Sequence, residues 1–115
     1  MHNVKIIGAD QATDSGAPVA SLVVVTGPAK LYSVMIFNTG PSQYYMVFDA
    51  AALPADGTVP KVPPIKVLTD SQGSIDFGDG RQFNAGIVVC NSSGATSKAI
   101  GAADSFLSVT YRKTS

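Results

Sequence analysis

The chain has 115 residues with eight basic and eight acidic side chains, a formal net charge of +0, which bounds it to one domain and leaves no basic footprint for nucleic acid or an anionic membrane. Its mass of 11.8 kDa corresponds to a folded surface of about 5,900 Å² with roughly 65% of the unfolded surface buried, enough for one core without staples. The lone Cys90 excludes an internal disulfide framework. With His2 as the only histidine, no cysteine–histidine zinc cluster can form, and neither a metal nor a cofactor is expected.

Neutrality combined with a mean hydropathy of +0.22 removes the colloidal protection that charge gives a soluble monomer, so other copies or a partner are expected to cover apolar surface. No apolar run approaches the length of a transmembrane helix, and Met1 to Asp10 lacks the long apolar region of a secretory signal. The expectation is a soluble protein made in the cytoplasm without an export signal.

All the acidic residues are Asp, and Val and Ile far outnumber Leu, while Gly 11 and Pro 7 are scattered throughout. This composition favours strands and turns over helices. In chain order the apolar stretches are Val4 to Ile7, Val19 to Val25, Leu31 to Phe37, Tyr44 to Phe48, Ile65 to Leu68, Ser74 to Phe77, Ile87 to Cys90 and Phe106 to Tyr111. Between them lie Gly, Pro, Asn and Asp clusters, among them Gly78-Asp79-Gly80, that suit chain reversal. The spacing predicts an all-β, antiparallel β-sandwich of about eight short strands, jelly-roll-like.

Individual segments carry further expectations. Gln11 to Pro18 reads as a flexible link, which divides the chain into an N-terminal arm and linker over 1–18 and a sandwich domain over 19–115. Val4 and Ile6 on one face of that arm, with Lys5 and Ile7 on the other, suit it to adding a strand to a neighbouring sheet. Leu31 to Phe37 and Tyr44 to Phe48 are apolar on both faces, which places them centrally or presses their outer side against another subunit. Ala50 to Pro64 reads as a long connection, starting with one helical turn over Ala50 to Leu53 and ending in an edge strand, because Pro60, Pro63 and Pro64 cannot donate to a ladder. In the last strand Leu107, Val109 and Tyr111 share one face, and Ser108, Thr110 and Arg112 share the other.

Little in the sequence suggests catalysis, and no enzyme is expected. His2 stands near the end of the chain, where a nucleophile–base pair is poorly held. Cys90 lies in the apolar run Gly86 to Cys90 with no cation beside it, so it is expected to be buried and structural. Asp76-Phe77-Gly78 spells the kinase magnesium motif without the other parts of that machinery. Asp76 and Asp79 are read as turn caps, with Arg81 as a candidate ion partner. Asn91-Ser92-Ser93 fits a glycosylation acceptor, idle without export. Of the aromatic residues, Tyr44, Tyr45 and Phe106 are selected as the exposed ones and join Val4, Ile6 and Ile7 as candidate interface residues.

The segments Gly40 to Asp49, Ala51 to Pro60, Gly73 to Gly78, Gly80 to Ser93 and Ile100 to Phe106 resemble small structural proteins of tailed bacteriophages, over about Leu31 to Arg112. The resemblance implies a virion building block on the capsid surface: a head decoration (cement) protein that binds the major capsid protein as a homo-oligomer, a trimer being favoured, and stabilises the shell. The alternative it leaves open is a fibre or tail module that recognises host surface glycans.

Overall fold

The computed structural model describes residues 10–114. Eight strands follow one another: β1 Gln11–Asp14, β2 Ser21–Thr26, β3 Ala29–Asn38, β4 Gln43–Asp49, β5 Ile65–Val67, β6 Ser71–Phe83, β7 Gly86–Ser92 and β8 Ser105–Lys113. They form two antiparallel four-stranded sheets, ordered β1-β8-β3-β6 and β2-β7-β4-β5. The pairs β1 with β8, β2 with β7, β3 with β6 and β4 with β5 make one long antiparallel ribbon. Pairing of β3 with β8 and of β4 with β7 then rolls that ribbon shut. This is the jelly-roll winding of a β-sandwich, and its exposed surface of 5915 Å² agrees with the value of about 5,900 Å² that size alone predicts.

Seven of the eight expected stretches fall on β2 to β8. The eighth, Val4 to Ile7, lies outside the described residues. Its place is taken by Gln11–Asp14, within the segment expected to be a flexible link. This strand has no apolar alternation to announce it and is held by its backbone ladder to β8 and by polar contacts. Ser108 Oγ donates to Asp14 Oδ1 at 2.5 Å, and the Leu107 N–H donates to Ser15 Oγ at 3.1 Å. An edge strand with one face in water needs little more.

The core between the sheets contains Leu31, Val34 and Ile36 from β3, Tyr45 and Val47 from β4, Ile87 and Val89 from β7, and Leu107, Val109 and Tyr111 from β8. In β8 the alternation is as expected, with Ser108, Thr110 and Arg112 half-buried on the opposite face. Each fully buried aliphatic or aromatic side chain contributes about 1.5–3 kcal/mol. A second cluster lies on the outward side of β4 and β7, where Met46, Phe48, Val88 and Cys90 are at most 2% exposed and pack with Ala50. Residues 50–64 and 93–104 cover it, pinned to each other by bonds from Gly57 N–H to the Lys98 carbonyl (2.7 Å) and from Lys98 N–H to the Thr58 carbonyl (2.8 Å). The two apolar faces of Tyr44 to Phe48 are therefore both covered by the chain itself. The expected helical turn over Ala50 to Leu53 is instead a bend over residues 50–52, with Ala50 packed against that cluster.

The reversal expected at Gly78-Asp79-Gly80 is instead an excursion within β6, a strand of 13 residues. Ser33 pairs with Asp76 and Leu31 with Arg81, so residues 77–80 stand opposite Tyr32 alone as a bulge, in which Phe77 still packs against the core. The turn chemistry is present, with Gly78 N–H donating to Asp76 Oδ1 at 2.9 Å. Gly80 has φ +94°, and a Cβ there would lie 2.7 Å from the Tyr32 ring. The ion pairs among the described residues join Lys61 to Asp49 and Lys98 to Asp56, and none joins Arg81 to Asp76 or Asp79.

At the start of β7 the turn over residues 84–86 is tied down by Asp49, whose carboxylate accepts from the N–H groups of Asn84 (3.1 Å), Ala85 (2.7 Å) and Gly86 (3.4 Å). Burial acts to raise the Asp49 pKa, but these donors and Lys61 outweigh it and hold the carboxyl below its ordinary value. Gly86 has φ +149°, and a Cβ would lie 2.5 Å from the Val25 carbonyl oxygen and 2.6 Å from that of Ala50. Both contacts are backbone, which cannot swing aside as a side chain can. Gly86→Ala is expected to lower stability by about 2–4 kcal/mol. Urea unfolding measures this, and an unchanged midpoint would contradict the tight approach of β2, β4 and β7 at this corner.

Candidate functional site

The outer face of the β1-β8-β3-β6 sheet is built in cross-strand rows. Phe106, Phe37 and Gln72 are consecutive register partners across β8, β3 and β6, and the next row runs Asp14, Ser108, Met35 and Ser74 across β1, β8, β3 and β6. The row after that contains Thr110, Ser33 and Asp76, where Ser33 Oγ and Thr110 Oγ1 share a hydrogen bond of 2.6 Å. Directly opposed residues have Cβ atoms about 4.5–5.5 Å apart, so Phe37 and Phe106 form one apolar strip with Met35 beside it. Met35 is 56% exposed and Phe106 is 40% exposed, and Phe37 is half-buried. The face dips here into an open concavity of about 470 Å³ lined by both rows and by the turn at Ser15 and Gly16. Among the described residues Asp14 is the one ionisable group in its lining.

Of the aromatic residues expected to be exposed, Phe106 is here, Tyr44 is elsewhere and Tyr45 is not at the surface. Adjacent residues in a strand face opposite ways, so Tyr44 and Tyr45 cannot share an exposed side. Tyr45 is 0% exposed in the core. Tyr44 points out of the other sheet beside its register partners Lys66 and Ser92, with Lys66 Nζ 5.9 Å from its ring centroid. Val4, Ile6 and Ile7 lie outside the described residues. The residues that join Phe106, namely Phe37 and Met35, are visible in the sequence only through parity: once Val34 and Ile36 face inward, Met35 and Phe37 must face out.

The other polar groups that could carry chemistry are engaged structurally. At one end of the sandwich Asp104 Oδ1 accepts from Gln43 Nε2 (2.9 Å), Asn91 Nδ2 (3.1 Å) and Ser105 Oγ (2.9 Å). Asn38 Nδ2 donates to the carbonyls of Pro41 (2.8 Å) and Val67 (3.0 Å), while its Oδ1 accepts from Gly40 N–H and Gln43 Nε2. Tyr45 OH and Ser105 Oγ are bonded to each other, and burial pushes the phenol pKa up. This network knots the β3–β4 turn to the start of β8, and every buried side-chain polar atom described has a partner. No group of three or more His, Cys, Asp or Glu among the described residues is placed to hold a metal ion.

Cys90 is fully buried in the second cluster, and burial pushes its thiol up to about 11. Lys98, whose side chain is 3% exposed, reaches Asp56 Oδ1 at 2.5 Å, and the Ile100 N–H donates to the same oxygen at 3.2 Å. That hydrogen bond from Lys98 is the main cause of a lowered Asp56 pKa. The latch joins the two connections that roof the thiol. In the native protein at neutral pH, Cys90 is therefore expected to resist a bulky maleimide, and Lys98→Ala is expected to speed labelling by about tenfold or more by loosening the roof. Prompt labelling of the unaltered protein would contradict the burial of this cluster.

Comparison with protein-family models, curated proteins and solved structures finds no match to the chain.

Proposed function

We propose that the chain is a bacteriophage capsid decoration (cement) protein, a non-catalytic jelly roll that binds the outside of the shell as a homotrimer and holds major capsid proteins together. The observation that carries the reading is the exposure of large apolar side chains on the connections that roof the β2-β7-β4-β5 sheet: Leu53 is 39%, Val59 70% and Ile100 38% exposed. These residues lie on the side of the sandwich opposite the concavity, on a chain with no net charge. Large apolar side chains left exposed on a chain without net charge favour contact with another protein.

The virion is suggested by the resemblance of Leu31 to Arg112 to small structural proteins of tailed phages. Jelly rolls build viral capsid domains, but they also build lectins and cupins, so the winding is compatible with this reading and does not select it. The mechanism is adhesion. A ligand that binds the assembled lattice and not its separated parts stabilises the lattice by mass action, and three equivalent contacts on one trimer add avidity. The loop face supplies the apolar contact.

The test is a cryo-EM reconstruction of virions of the phage that encodes the chain. The expected result is density for the jelly roll on the outer head surface at capsomer junctions, with the loop side facing the shell. Density confined to the tail or fibres, or none in the virion, would overturn the proposal.

A further inference from the structure

The concavity on the β1-β8-β3-β6 face is not needed for attachment through the opposite side, and its lining has a chemistry of its own. Its lining combines the Phe37–Phe106 cross-strand pair and Met35 with polar groups on the neighbouring register positions. Gln72 lies beside Phe37, Ser74 and Ser108 flank Met35 on either side, and Asp14 stands beyond Ser108. The volume of about 470 Å³ falls within the range of roughly 300–1,000 Å³ typical of small-ligand sites.

We infer that this concavity is a binding site for a neutral pyranose sugar at the surface of a glycan. A pyranose ring presents C–H groups on its face and hydroxyls around its rim. The aromatic pair and Met35 match the first, while the amide, the hydroxyls and the exposed carboxylate match the second by accepting from and donating to sugar hydroxyls. Among the described residues the lining holds Asp14 and no Lys or Arg, which disfavours anionic sugars and phosphates. A purely apolar ligand would strip water from Gln72, Ser74, Ser108 and Asp14 without replacing their hydrogen bonds. The site goes beyond the capsid-attachment reading and does not rest on it.

The experiment is a titration of the ¹⁵N-labelled protein with maltotriose, lactose and N,N′,N″-triacetylchitotriose, with sialyllactose as the anionic comparison. The expected result is saturable shifts at Met35, Phe37, Ser74, Phe106 and Ser108 with at least one neutral sugar at millimolar concentration, and weaker shifts with sialyllactose. Phe106→Ala should weaken binding by about tenfold, and Val59→Ala should leave it unchanged. If Phe106→Ala disturbs folding, Gln72→Ala and Ser74→Ala report the same site from exposed positions. The inference is overturned if no neutral sugar shifts these residues, or if the shifts survive Phe106→Ala undiminished. Loss of capsid attachment in Phe106→Ala without any sugar binding would assign the face to protein contact and overturn it as well. Retained attachment with lost sugar binding supports it, which separates this site from the attachment surface.

Discussion

A β-strand turns alternate side chains to opposite faces, and β3 and β4, two of the four inner strands of this sandwich, carry apolar side chains on both. That constraint organises the molecule. The inward sets, Leu31, Val34 and Ile36 on β3 and Tyr45 and Val47 on β4, meet in the common core. The outward sets need separate cover, and the chain treats them differently. Met46 and Phe48 are roofed by residues 50–64 and 93–104, with Ala50 packed against them and Lys98 latched to Asp56 across the roof. Met35 and Phe37 receive no such roof from the described residues, and with Phe106 they line a concave face. The sandwich thus has a loop-covered side and a bare sheet side.

The asymmetry depends on the polar knot at one end. Asp104 gathers Gln43, Asn91 and Ser105, while Asn38 ties the β3–β4 turn to the carbonyl of Val67 at the end of β5. Gly40 is part of this knot by necessity, since a Cβ there would collide with the Asp104 carboxylate. Apolar contacts are non-directional, whereas such a network admits few alternatives because each unmade bond to a buried group costs about 1–3 kcal/mol. It fixes where β4 and β8 begin, and through them the register that sets Phe37 against Phe106. Packing supplies most of the stability, and the knot supplies the alignment.

The architecture was legible wherever burial imposes a period. β3, β4, β7 and β8 announce themselves by apolar runs or alternation, and Pro63 and Pro64 mark β5 as an edge. β1 was illegible because a polar strand held at an edge by backbone bonds leaves no periodic trace. Gly78-Asp79-Gly80 was legible as turn chemistry but not as a bulge, because only the partner strand decides whether the chain reverses or continues. The surface was legible in part. Phe106 could be read as exposed from the alternation of β8, but pairing it with Tyr44 and Tyr45 ignored strand parity. The cover over Cys90 was invisible because Lys98 and Asp56 are 42 residues apart in sequence.

In the proposed function the loop side, with Leu53, Val59 and Ile100, is the one that meets the shell, and the sheet side, with Met35 and Phe106, is the one that faces outward. Hydroxyl-radical footprinting of the chain free and bound to capsids reads both sides at once, because oxidation follows the solvent exposure of individual side chains. The account predicts that binding protects Leu53, Val59 and Ile100 and leaves oxidation of Met35 and Phe106 unchanged. Protection of Met35 and Phe106 with the loop residues still reactive would contradict it.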